Sequence, residues 1–201
     1  MSLESVRAFF AKNAPDIAVI ESDSSSATVA LAAQAYGVEP ARIAKTLSLR
    51  VGDRVVLIVA SGTARMDNRK VKARFGGKPK MLAAEEVAEI TGHEVGGVCP
   101  FGLKTPLPVY CDVSLRAFDE VVPAAGSTHS AVRIAPMRMA ELVAAEWVDV
   151  CGEVVREALS PLPEGERSKP ERQRRLRVRG LSTHADSGTG PLTRRASDDA
   201  P

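Results

Sequence analysis

The chain has 201 residues, 44% of them hydrophobic, which is enough for one domain of ordinary size with a real core and an appendage. No apolar run approaches the roughly 20 residues needed to span a bilayer, and MSLESVRAFFAKN lacks the basic-then-apolar order of a secretory signal, so a membrane role is excluded and a cytoplasmic setting is expected. The formal net charge is only +2, and three cysteines, Cys99, Cys111 and Cys151, stand far apart with no CxxC pair, which points to reduced thiols and to no metal or cofactor.

In chain order, residues 2–12 place Leu3, Val6, Phe9 and Phe10 on one helical face behind a Ser2 cap, which predicts a packing helix. Ile17–Ile20 reads as a short strand. SSSATVALAAQAYG then reads as a second helix, with serines before it and Gly37 after it. AKTLSLRV and RVVLIVAS are β-rich runs joined by Gly52-Asp53, a hairpin signal. AAEEVAEITG predicts a helix ending at Gly92, LPVYCDVSL a strand, VVPAAGSTHSAVRIAP two short strands around a turn, PMRMAELVAAE a helix and WVDVC a closing strand. The sum is a mixed α/β domain.

Two stretches are strongly basic. SGTARMDNRKVKARFGGKPKML carries Arg65, Arg69, Lys70, Lys72, Arg74, Lys78 and Lys80 against Asp67 alone, and contains a short helix. It is either a solvated surface or a contact for an RNA backbone. Past about residue 155 the balance shifts to 10 basic against 7 acidic residues in a text rich in Pro, Ser, Gly and Arg. Without apolar periodicity it cannot bury enough surface to offset its ordering entropy, so the domain is expected to span 1–155 and a disordered basic tail 156–201.

Three features could carry chemistry. Cys99 would be a nucleophile only if a base such as His93 or His129 approached it; otherwise it is a small apolar residue. Gly96, Gly97 and Gly102 around it leave the backbone bare, so that N–H groups near Gly97, Val98 and Cys99 can converge on an oxyanion, although a tight structural turn has the same composition. The spacing is not that of a phosphate-binding P-loop. Lys45 opens a strand, where it either meets solvent or anchors a phosphate or carbonyl.

IAKTLSLR, VLIVASGTARMDNRKVKARFG, TGHEVGGVCPFGL, VYCDVSL and AAGSTHSAVRIAP, in this order, resemble the YbaK/EbsC family, related to the editing domain of bacterial prolyl-tRNA synthetases, over about residues 1–151. The resemblance implies a YbaK-like domain with a barrel-like sheet surrounded by helices. It also implies an aminoacyl-tRNA deacylase that hydrolyses mischarged ester, with a small amino acid such as alanine, serine or threonine on a prolyl or similar tRNA. The family's lysine falls on Lys45 and its GxxxP loop on Gly96–Pro100, which makes Lys45, Gly96, Gly97, Val98 and Cys99 the catalytic set. Pro100, Phe101, His129 and Ser130 would line the substrate pocket, and Arg65, Arg69, Lys70 and Lys72 would meet tRNA. The cysteine-specific branch carries an aspartate near Ala131, a departure that puts cysteinyl-tRNA specificity in question, so attack by a substrate thiol is not assumed. Besides aminoacyl-tRNA, the implied partners are an aminoacyl-tRNA synthetase or an elongation factor. Two other classes stay open: a non-catalytic module that holds tRNA ends or a small ligand, and a cysteine hydrolase using Cys99.

Overall fold

The computed structural model describes residues 2–152, and the expected tail from 156 onward lies outside the described residues. In chain order the elements are α1 (Ser2–Asn13), β1 (Ile20–Glu21), α2 (Val29–Tyr36), β2 (Ile43–Val51), β3 (Arg54–Ser61), β4 (Arg65–Met66), α3 (Asn68–Phe75), β5 (Pro79–Met81), α4 (Ala84–Thr91), β6 (Val109–Asp112), β7 (Val122–Pro123), β8 (Ser130–Ala131), α5 (Pro136–Leu142), β9 (Glu146–Val148) and β10 (Cys151–Gly152).

Val6 and Phe10, four residues apart, form the buried face of α1. The first turn of this helix lies across two glycines. A Cβ on Gly102 or on Gly126 would sit 2.6 Å from the carbonyl oxygen of Ser5 or Ser2, and both glycines have positive φ. This close approach seats Phe9 and Phe10 against Phe101, with ring centroids 5.6 and 4.7 Å away. In α2, the Thr28 hydroxyl accepts the Leu31 N–H and Gly37 closes the helix at φ 63°.

The expected hairpin forms, with Val51 opposite Arg54 and the register running back to Ala44 opposite Ser61. Around it the strand path is β5-β2-β3-β6-β9, and β7 lies parallel to the first two residues of β2. Leu57 and Val59 of β3 share one face with Val109 and Cys111 of β6, packed with α1, Phe101 and Met139 of α5. Leu49, Val51, Val56 and Ile58 occupy the opposite face with Val71 of α3 and Val148. Helices thus cover both faces of the sheet.

The expected barrel-like closure does not occur. The ends of the path, β5 and β9, do not pair with each other among the described residues. On the side of β2 away from β3, β5 covers only Leu49–Val51 and β7 only Ile43–Ala44, so that edge is divided between two short strands. Lys45, Thr46 and Leu47 lie in the gap, and at Ser48 the carbonyl accepts the Leu82 N–H at 3.1 Å.

The closing strand expected over WVDVC is split as well. Asp112 is 1% exposed, and its Oδ2 accepts the N–H groups of Val150 at 2.9 Å and Cys151 at 3.0 Å while its Oδ1 accepts that of Ser114 at 3.0 Å. The carboxylate takes donors that an unbroken ladder would use. β9 therefore stays parallel to β6, and β10 pairs with β4, Cys151 opposite Met66. The Ile17–Ile20 strand is reduced to β1, which pairs only with β8. No helix among the described residues is long and apolar enough to cross a membrane.

Candidate active site

The gap along β2 opens into a cleft of about 230 Å³. β2 lines it with Lys45, Thr46 and Ser48, and α2 with the chain before it adds Ser26, Val29 and Tyr36. Val95, Gly96 and Val98 come from the loop after α4, and Ser130 and Ala131 from β8. Two separate strand ends and two loops thus meet where the β2 edge is left unpaired.

The Lys45 ammonium donates to the carbonyl oxygens of Gly62, at 3.0 Å, and Ala64. An ammonium has three N–H groups, so one donor is left. Burial lowers the Lys45 pKa, with Cys151 opposing the shift and Arg65 adding to it. The Gly62 end of this bracket is itself pinned, because a Cβ there would lie 2.2 Å from the Pro40 carbonyl oxygen.

The glycine loop is locked to the turn that precedes β8. A Cβ on Gly97 would lie 2.7 Å from the Ser127 backbone, and the Gly126 N–H donates to the Gly97 carbonyl at 3.1 Å. Gly96 adopts φ 93°, which a larger residue rarely does. The Gly97 N–H is already spent on the Glu94 carbonyl at 2.9 Å, whereas the N–H groups of Val98 and Cys99 have no acceptor among the described residues. Loop donors of this kind suit an oxyanion.

The expected site residues separate into two groups. Lys45, Gly96, Val98 and Ser130 line the cleft. Gly97 packs behind it, and Cys99, Pro100 and Phe101 are buried away from it, with Phe101 filling the core beside Phe9 and Phe10. Cys99 Sγ lies 3.6 Å from both His93 Nε2 and the Phe101 carbonyl. Burial pushes the Cys99 thiol up to about 12, with its contacts to the Phe101 and Gly126 backbone opposing the shift, and burial also lowers the His93 pKa against its contact with the Phe101 carbonyl. Both groups are therefore neutral at physiological pH, which is the reverse of an activated thiolate pair. The cysteine-hydrolase reading fails on burial and on charge.

His129 is exposed and lines a different depression with Glu21 and Asp23. Ser130 is buried; its Oγ accepts from the Ser127 N–H at 3.2 Å and the Ser127 hydroxyl at 2.7 Å, which leaves its own O–H to donate. The basic set divides too. Arg65, Arg69 and Lys72 are exposed, but Lys70 donates to Asp149 at 2.6 Å, the tie that most raises its pKa, and to the Cys151 carbonyl at 2.9 Å, which makes it a bracket for β10. Tyr36, Thr46 and Ser48 escaped the sequence reading. The signal for the last two was present as two hydroxyls at alternate positions of a strand whose other residues, apart from Lys45 and Arg50, are apolar.

A mixed α/β domain whose cleft joins a lysine to a bare glycine loop is the arrangement of an editing domain, and the model of the aminoacyl-tRNA editing domain matches residues 23–142. The chain belongs to this family. It is similar to the uncharacterized protein YwhH of Bacillus subtilis, 50% identical over 153 residues that make up 75% of this chain and 98% of YwhH. It is also 28% identical to EbsC of Enterococcus faecalis, a candidate Cys-tRNA(Pro)/Cys-tRNA(Cys) deacylase, over 59% of this chain and 73% of EbsC. Among solved structures, a candidate trans-editing enzyme for prolyl-tRNA synthetase superposes with a TM-score of 0.71 at 33% identity, covering 75% of this chain and 97% of the other.

Proposed function

We propose that the protein is a deacylase that hydrolyses the ester between a small, wrongly attached amino acid and the 3′ end of a prolyl or similar tRNA in the cytoplasm. The observation that carries this reading is the meeting, at one cleft, of a half-buried ammonium with a donor to spare and a loop with unspent N–H groups. An aminoacyl ester is already activated, so the work left to the protein is positioning, oxyanion stabilisation and access for water. Lys45 would fix the terminal phosphate or the ester carbonyl. As water adds to the carbonyl carbon, the N–H of Val98, in the loop that lines the cleft, would take the charge that develops on oxygen, a contribution of about 3 kcal/mol for one well-aimed donor. The ester C–O bond then breaks and the ribose oxygen leaves with a proton, with the substrate's own amine or neighbouring hydroxyl serving as the base.

Arg65, Arg69 and Lys72 would contact phosphates of the acceptor stem, a term that positions the tRNA without reading its sequence. The test is release of amino acid from a panel of mischarged tRNAs, repeated with Lys45→Ala. Release by the native chain and its loss in the variant support the reading. Binding of tRNA ends with no release from any member of the panel would favour a non-catalytic module, and undiminished release by the variant would remove Lys45 from the mechanism.

A further inference from the structure

The wall of the cleft contains hydroxyl groups that the protein does not use. Thr46 Oγ1 and Ser48 Oγ are buried and have no hydrogen-bond partner, whereas Tyr36 Oη, near the Ile43 end of β2, has the Ser26 side chain beside it. Ser48 is 4% exposed and Tyr36 7%. The reason is legible in the register. Thr46 lies opposite Val59 and Ser48 opposite Leu57, so both cross-strand neighbours are hydrocarbon. Met81, Leu82, Val87 and Val95 also line the cleft, and their side chains offer no donor and no acceptor beyond the weak Met81 thioether.

Buried polar side chains almost always have partners, and one left alone costs stability that an alanine or valine at the same place would not. Strand propensity does not explain them, since valine suits a strand as well as threonine does and serine suits it less. A hydroxyl facing hydrocarbon on its known sides is satisfied only by something that enters the cleft. Thr46 and Ser48 project from the same face of the strand, two positions apart, so they present a short polar strip inside an apolar enclosure. A site built to hydrogen-bond a substrate hydroxyl discriminates strongly against the same shape without it, whereas an apolar pocket separates such isosteres poorly.

We infer that Thr46 and Ser48 are selectivity residues that favour an aminoacyl group with a hydroxylated side chain, serine or threonine, over apolar groups of equal size. This rests on the deacylase reading and names the substrate class within it. The strip is separate from Lys45 and from the loop donors, which act on the phosphate or the ester and are blind to the side chain.

The test uses the full chain and one tRNA carrying, in turn, threonine, valine, serine, 2-aminobutyrate or alanine. Threonine against valine, and serine against 2-aminobutyrate, compare a hydroxyl with a methyl at nearly constant shape. The expected result is a preference in kcat/KM of about tenfold or more for the hydroxylated member of each pair. Thr46→Val with Ser48→Ala should reduce it to within about threefold, while the thermal midpoint of the unliganded protein stays equal or rises, because the variant removes unpartnered hydroxyls. A purely structural role for the two side chains predicts a lower midpoint and an unchanged ratio. Release of each pair at equal rates, or a ratio that survives the double substitution, overturns the inference and leaves the deacylase reading standing. No release from any of the five overturns both.

Discussion

Along its β3 edge, β2 is paired without interruption from Ala44 to Val51, whereas along the opposite edge only its first two and last three residues meet a strand. The first edge belongs to the core, where Leu57, Ile58, Val59 and Ala60 have no exposed surface. The second holds a lysine, two unpartnered hydroxyls and the cleft. One strand thus serves as scaffold on one side and as site on the other. The difference teaches that the site is made by leaving pairing incomplete, and that its precision is borrowed from the completed side.

The sharpest way to break this contrast is at Leu57. Leu57→Ala removes a side chain packed between the sheet and α1, and should cost about 2–5 kcal/mol in chemical denaturation. A cost below about 1 kcal/mol would mean that the paired edge is not the rigid support it is taken to be. Lys45→Ala comes next and inverts the pattern. It should lower kcat/KM for deacylation about a hundredfold with little change in the denaturation midpoint, as expected for a group that acts on substrate.

The lowered pKa of Lys45 adds a sign to this. In the pH range between its folded value and the ordinary lysine value of 10.5, the unfolded chain binds the proton more tightly than the folded one, so stability rises with pH there. Activity that needs the ammonium should fall in the same range. Lys45→Met should lose both responses, which paired pH profiles of denaturation midpoint and deacylation would register.

Smaller effects separate the basic residues. Arg69→Ala with Lys72→Ala should weaken tRNA binding several-fold and flatten its salt dependence. Lys70→Ala should instead lower stability, since Lys70 is engaged with Asp149 and the Cys151 carbonyl. The smallest change is expected at Cys99. Its thiol, pushed up to about 12, should resist iodoacetamide at pH 8, and Cys99→Ala should retain activity within about twofold.

The elements with a clear period were legible in the sequence. The β2–β3 hairpin followed from alternation around Gly52-Asp53, and α2 from its cap and from Gly37. What escaped was set by contacts distant in sequence. Strands of two or three residues such as β4 and β5 carry no period, and the break at Asp149 depends on a carboxylate 38 residues away from Val150. The same holds in the site. Lys45 and Gly96 were legible because their motifs are, but the loop's direction is fixed by α1 packing over Gly102, which turns Cys99 and Phe101 into the core. His129 faces outward because the turn that carries it is bound through Ser26 and Ser130, with Ser26 Oγ donating to the Thr128 carbonyl at 2.9 Å.

The most direct test of the account is residue-resolved NMR of the full chain titrated with a stable amide analogue of 3′-seryl-adenosine. The account predicts perturbations centred on Thr46, Ser48, Gly96 and Val98, along the unpaired edge of β2 and the loop that faces it. Perturbations centred on Glu21, Asp23 and His129, or none at millimolar analogue, would contradict it.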